Sequence, residues 1–127
     1  MWMNSASVLM ASLVCLGTTV IAEGDIDAGE KVFRKCKACH AIGSDAKTKS
    51  GPVLTRIVGS KAGNDSNFRY SKALTAAASD GLVWDEASLS AFLTKPRDFL
   101  DGTKMSFSGL RREKDVADLI AYLISFE

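Results

Sequence analysis

Apolar residues in this chain fall into one continuous run near the N-terminus and, further on, into short faces of helical spacing divided by glycine-bearing stretches. Downstream of the run, Asp27-Ala28-Gly29-Glu30 places Glu three residues after an acid, in the manner of a capping box, and Val32-Phe33 follow. This predicts a first helix over about residues 27–38. Residues 41–67 hold Gly43, Gly51-Pro52, Gly59 and Gly63 without a sustained period, and read as loop. A connection that long is expected to wrap a ligand. The alanine-rich stretch Ser71 to Ser79 predicts a short helix stopped by Asp80-Gly81. Asp85-Glu86 open another, with Leu89, Phe92 and Leu93 at helical spacing, and Pro96 is expected to end it. Residues 97–110 return to loop. A last helix from about Arg111 to Ser125 carries Val116, Leu119, Ile120 and Leu123 on one face. The expected class is all-α, with four to five short helices and long loops.

The N-terminal run, Val8 to Leu16, belongs to a segment (residues 1–22) with no charged side chain. Val20-Ile21-Ala22 before Glu23 fits a small-residue cleavage site, so a cleaved secretory signal peptide is the reading, although no Lys or Arg precedes the run. A membrane anchor is the rival. The segment is barely long enough to span a bilayer, and Asn4, Ser5, Ser7 and Ser12 dilute it. Cys15 follows the bulky Val14 and does not fit a lipoprotein pattern. Cleavage leaves residues 23–127 as one domain outside the cytoplasm. All 16 basic and all 15 acidic residues lie in that part, for a net charge of +1. Such a balance makes no case for a nucleic-acid partner. Electrostatic docking must come from a patch.

Candidate chemistry concentrates in Cys36-Lys37-Ala38-Cys39-His40, which contains the single histidine of the chain. Cys-x-x-Cys-His is the attachment signature of c-type haem: two thiols add across the vinyl groups, and the imidazole ligates the iron. Three residues along a helical turn put both cysteines on one face, within reach of a single porphyrin edge. A thioredoxin-type pair would want a strand–helix–strand context, which is missing here. A zinc site would need a further ligand, and Cys15 in the leader is the sole other Cys or His.

A six-coordinate haem iron needs a second donor opposite His40. Met1, Met3 and Met10 lie in the leader, which leaves Met105 in the polar stretch Asp101 to Phe107. A lone methionine is ordinarily a filler of core gaps. Beside a haem motif, in a loop, with no other donor available, it becomes the candidate axial ligand. Thioether ligation raises the reduction potential. With both axial positions taken there is no open site for oxygen or peroxide chemistry, which points to electron transfer.

The order and content of the motifs resemble the class I c-type cytochromes, the group of the bacterial carriers and mitochondrial cytochrome c. The resemblance runs through Gly29-Glu30-Lys31-Val32-Phe33, the Cys36–His40 motif, Gly51-Pro52-Val53-Leu54, Phe68-Arg69-Tyr70-Ser71, Trp84-Asp85, Lys95-Pro96, Gly102-Thr103-Lys104-Met105 and Asp118 to Leu123. It implies a small fold wrapped around one covalent haem c, joined through Cys36 and Cys39 and ligated by His40 and Met105. Pro52 would accept a bond from the His40 ring. Tyr70 and Trp84 would bond a haem propionate, and Thr103 would hold the Met105 loop. Gly29 and Phe33 would pack against Leu119 and Tyr122. Four features depart from the family pattern. Asp101 stands where a proline is usual, Phe92 where a tyrosine often sits near the sulfur, and Ser60 where many relatives carry a propionate-binding arginine. The Tyr70–Trp84 stretch is also longer than in the mitochondrial type, as suits a bacterial carrier.

The family further implies a monomeric, periplasmic single-electron carrier between a quinol-oxidising cytochrome bc complex and a terminal oxidase or photosynthetic reaction centre. Lys35, Lys37, Lys47, Lys49, Lys95, Arg97 and Lys104 flank the haem motif or the Met105 loop, and would dock acidic patches on redox proteins. An ordinary solvated surface is the competing reading of those charges. Two rival functions stand beside the carrier: an electron-accepting subunit dedicated to one periplasmic dehydrogenase, and a haem sensor or peroxidase-like enzyme. The enzyme ranks last, since no second histidine exists to serve as a distal acid–base group.

Overall fold

Among the described residues, three of the five helices begin on a side chain that caps them. The computed structural model describes residues 12–14 and 24–127, so most of the leader read over residues 1–22 lies outside the described residues. The helices are α1 (Ile26–Phe33), α2 (Lys72–Ser79), α3 (Glu86–Thr94), α4 (Pro96–Phe99) and α5 (Glu113–Ile124). Asp25, Ser71 and Asp85 accept from the amides of Ala28, Leu74 and Ser88, satisfying donors that a helix start leaves free. Among the described residues the β structure is one antiparallel bridge, Lys61 with Val83. The class is all-α, as expected.

Three local expectations are corrected. The cap of α1 is Asp25, and Asp27 sits inside the first turn, where its charge favours the helix dipole. The Asp25 amide is itself held by Asp118 Oδ1 at 2.8 Å, a contact from the far end of the chain. Next, α1 stops at Phe33. Arg34, Lys35 and Cys36 then bond back to the carbonyls of Lys31, Val32 and Phe33, so the chain tightens to three residues per turn before the haem motif. Finally, Pro96 starts a helix as well as following one. It occupies the first position of α4, where its missing N–H costs nothing, and residues expected to be loop form one helical turn to Phe99.

The first and last helices cross at Gly29. A methyl group there would run into the Asp118 carbonyl and approach Tyr122 Cβ to 2.7 Å. Next to the crossing, the rings of Phe33 and Tyr122 lie 5.3 Å apart. Asp118, only 3 % exposed, closes the crossing by accepting from the Asp25 amide and from Lys114 Nζ at 2.5 Å. The Lys114 ammonium and then the Asp25 amide hold its carboxyl below the usual carboxylate range. Gly29→Ala sets two effects against each other. Helix propensity alone would stabilise by about 1 kcal/mol, whereas overpacking against a backbone carbonyl costs about 3 kcal/mol. We expect packing to win, lowering the melting temperature by roughly 10 °C; an unchanged or raised value in a thermal melt would deny the close crossing.

The core gathers Leu89, Phe92 and Leu93 of α3 with Val116, Leu119, Ile120 and Leu123 of α5. All four residues expected on the inner face of α5 are buried. The same core continues through Leu74 and Trp84 to the wall of a large cavity. Helices α1, α3, α4 and α5 pack in a chain of contacts, while residues of the loops at 41–67 and 100–110 line the cavity.

Candidate haem-binding site

The cavity has a volume of about 650 Å³. Cys36, Cys39 and His40 line it from one side, and Thr103 and Met105 belong to the loop that follows α4. Pro52, Tyr70 and Trp84 complete the set read from the sequence, so all eight candidate residues meet at one place.

The tight turn after α1 delivers the motif. Cys39 N–H bonds to the Cys36 carbonyl at 3.1 Å and His40 N–H to the same oxygen at 2.9 Å. Three residues per turn nearly eclipses Cys36 and Cys39, which brings both thiols to one edge of the cavity. Neither is in a disulfide. Cys36 is half-buried, and that burial pushes its thiol up to about 11 against the opposing influence of Lys35. Cys39 is exposed, so the cavity opens to solvent along the motif edge.

His40 is oriented by a backbone carbonyl. Its Nδ1 lies 2.8 Å from the Pro52 carbonyl. A carbonyl only accepts, so Nδ1 carries the proton and Nε2 keeps a free lone pair. Burial lowers the imidazole below its ordinary range, outweighing the Pro52 bond, and the nearby Lys49 charge adds to the lowering. The ring is therefore neutral at pH 7, the form that binds metal. Gly51 packs directly on it: a Cβ there would collide with ring atom Cε1 and stand 2.8 Å from Nδ1. The Gly51 amide is tied at 2.8 Å to the Cys39 carbonyl, which locks the 51–52 turn to the motif.

On the loop after α4, the Thr103 hydroxyl accepts from the Met105 amide at 3.3 Å, and the Thr103 amide bonds to the Leu100 carbonyl at 3.0 Å. Met105 is partly buried against the core. Lys104, between them, reaches the Arg69 carbonyl and lies 4.5 Å from the Phe68 ring centroid. The departures from the family pattern have local consequences. Phe92 packs at 5.1 Å on Trp84 as an apolar wall. The Ser60 hydroxyl donates to the Ile57 carbonyl at 2.8 Å and so turns to the backbone. Arg56, held in the left-handed region at φ 59°, lines the cavity beside it.

The walls fit a haem by the chemistry they leave unspent. Tyr70 Oη accepts from the Asp65 amide at 2.8 Å, so its own proton remains to be donated, and burial raises the phenol above its usual range. Trp84 is 6 % exposed and lines the same cavity. One imidazole, one thioether, two thiols, a phenol and an indole thus line one mostly apolar cavity. Among the described residues no cluster of three His, Cys, Asp or Glu could hold a bare metal ion. Sequence reasoning missed Asp65, which joins the cavity wall through four hydrogen bonds. Its signal was the Asp-x-Asn spacing of Asp65 and Asn67, an Asx turn.

Comparison with known proteins agrees with this geometry. A family model for Cytochrome c matches residues 26–127. A cytochrome c2 of Agrobacterium tumefaciens (strain II Chrys) is 45% identical over 102 residues, covering 80% of this chain and 92% of that protein. Among solved structures, cytochrome cH from Methylobacterium extorquens superposes with a TM-score of 0.73 at 44% identity, over 80% of this chain and 99% of its own. Cytochrome c2 from Rhodospirillum centenum gives 0.76 at 39% identity, over 81% and 98%. The fold, the haem-attachment motif and these matches agree: the chain belongs to the cytochrome c family, electron carriers that hold haem c covalently.

Proposed function

We propose that the protein is a periplasmic single-electron carrier formed by residues 23–127 after removal of residues 1–22. Cys36 and Cys39 would hold the haem, and His40 and Met105 would be its axial ligands. The carrier would take electrons from a quinol-oxidising cytochrome bc complex and pass them to a terminal oxidase or photosynthetic reaction centre. One observation carries the reading: the chain's single imidazole and the single thioether outside the leader line the same cavity as the two motif thiols. No further side chain of either kind is left for catalysis.

When bound, the haem supplies a one-electron couple. The chain does the rest. The Pro52 carbonyl keeps Nε2 of His40 basic and aimed. Thr103 holds the Met105 loop against thermal loosening. Apolar walls at Leu74, Trp84, Leu89 and Phe92 exclude water, so little reorganisation accompanies a change of charge. Tyr70 and Trp84 would neutralise propionate charge by donated hydrogen bonds. The lining opens at Cys39, which makes the motif edge the place for electrons to enter and leave. Among the described residues no helix is long and apolar enough to cross a membrane. The matched solved chains are covered almost completely by four-fifths of this one, which supports a domain that begins after the leader.

Partner contact is assigned to the same edge. Lys35, Lys37, Lys47, Lys49, Lys95, Arg97 and Lys104 are all exposed, and Lys35 and Lys104 stand on the cavity rim. Exposed charges act over about 10 Å at 0.1 M salt, and less at higher ionic strength. The rate of electron exchange with an acidic redox partner, followed by stopped flow, should therefore fall as salt is raised. A flat profile would remove the lysine edge from the docking surface.

A further inference from the structure

The carboxylate of Asp65 bonds the peptide group that orients His40. Its Oδ2 accepts from the Val53 amide at 3.0 Å and from the Thr48 hydroxyl at 2.9 Å. Its Oδ1 accepts from the Asn67 amide at 2.9 Å, and its own amide donates to Tyr70 Oη at 2.8 Å. The Val53 N–H and the Pro52 C=O are the two ends of one peptide unit. On the carbonyl side that unit accepts from His40 Nδ1 at 2.8 Å. A continuous chain therefore runs from carboxylate to peptide to imidazole. We infer that Asp65 is a positioning residue that sets the basicity of His40 through the Pro52–Val53 peptide, and with it the reduction potential of the haem.

The physical argument is polarisation. An anion on a peptide N–H draws positive charge to that end and leaves the carbonyl oxygen more negative. Hydrogen bonds linked in this way strengthen one another by about 10–30% each. A stronger Pro52 acceptor pulls harder on the Nδ1 proton and makes Nε2 a better donor to a cation. Better donation favours the oxidised iron, so Asp65 lowers the potential. Asp65 also lines the cavity, where its fixed negative charge acts in the same direction. Partial burial would oppose ionisation. The Val53, Asn67 and Thr48 donors outweigh it and keep the carboxyl below its usual range.

The inference rests on the haem reading above, and one set of measurements separates the two. Asp65→Asn keeps the shape but removes the charge. In the holoprotein we expect a raised reduction potential, a displaced His40 Nδ1–H resonance in the reduced state, and Val53 amide exchange about tenfold faster. Thr48→Val removes one bond of the same cluster but leaves the carboxylate on Val53. It should lower stability without raising the potential, whereas a merely structural cluster would move the potential the same way in both variants. If Asp65→Asn does not accumulate with haem, Asp65→Glu replaces it, since one added methylene moves the charge off Val53 and must also raise the potential. A potential and a His40 resonance equal to those of the parent would overturn the inference. A parent protein without haem would instead overturn the haem reading.

Discussion

The double variant Cys36→Ser/Cys39→Ser is expected to lose the covalent cofactor and, with it, the folded state. Among the described residues the thiols are the only groups in the cavity able to form thioether bonds. Serine hydroxyls at the same positions leave nothing to join the porphyrin edge. The energetic consequence follows from the size of the cavity, about 650 Å³. Apolar space left unfilled costs about 24 cal/mol per Å³, which would amount to on the order of 15 kcal/mol here. A whole domain is stable by only about 5–15 kcal/mol. Water entering by the Cys39 edge would reduce the cost, yet half of it would still exhaust the stability of a domain this small. The helices cannot simply close the gap, because α1, α3, α4 and α5 already pack on one another along one side. We therefore expect no haem retained after acid–acetone extraction and a circular dichroism spectrum without cooperative melting. A well-folded, helical, haem-free variant would show that the core alone holds the fold.

What could be read without the structure follows from how local each signal is. The Cys36–His40 motif and Met105 were legible because outside residues 1–22 there are one His, one Met and two Cys, so counting replaced geometry. Asp85 and Ser71 were legible as helix starts because their capping bonds span only three residues. Asp25 was not, since two acids stand within three positions. The choice between them is supported by Asp118, 93 residues away. Pro96 was read as a terminator because proline cannot continue a helix; that it also begins α4 depends on Lys95 leaving the helical region, at φ −145° and ψ 82°. The tightening after Phe33 was hidden too. Lys35 and Lys37 suit a helix well, and the three-residue turn is imposed by where Gly51 and Pro52 hold Cys39 and His40. Asp65 was invisible as a site residue because its partners, Thr48 and Val53, lie 17 and 12 residues earlier in the same loop, with no periodicity to align them.

The second large effect concerns Met105. Its loop is tied by the Thr103 hydroxyl and by Lys104 on the Arg69 carbonyl, and neither bond uses the Met105 side chain. Met105→Ala should therefore leave the helices in place and remove one donor. Loss of a thioether removes the ligand that favours the reduced state. The potential should fall by an appreciable part of the about 0.8 V that axial ligation spans. Phe92, with no hydroxyl, offers no substitute donor from α3. Exogenous imidazole or cyanide should then bind readily where the parent protein resists it.

The claim that His40 and Met105 close the two faces of one haem is tested most directly by the optical spectrum of the oxidised holoprotein, parent beside Met105→Ala. The parent should be low-spin with a weak sulfur-to-iron charge-transfer band at long wavelength, and that band should vanish in the variant. A spectrum unchanged by the substitution would contradict the account, because the sulfur would then have no place on the iron.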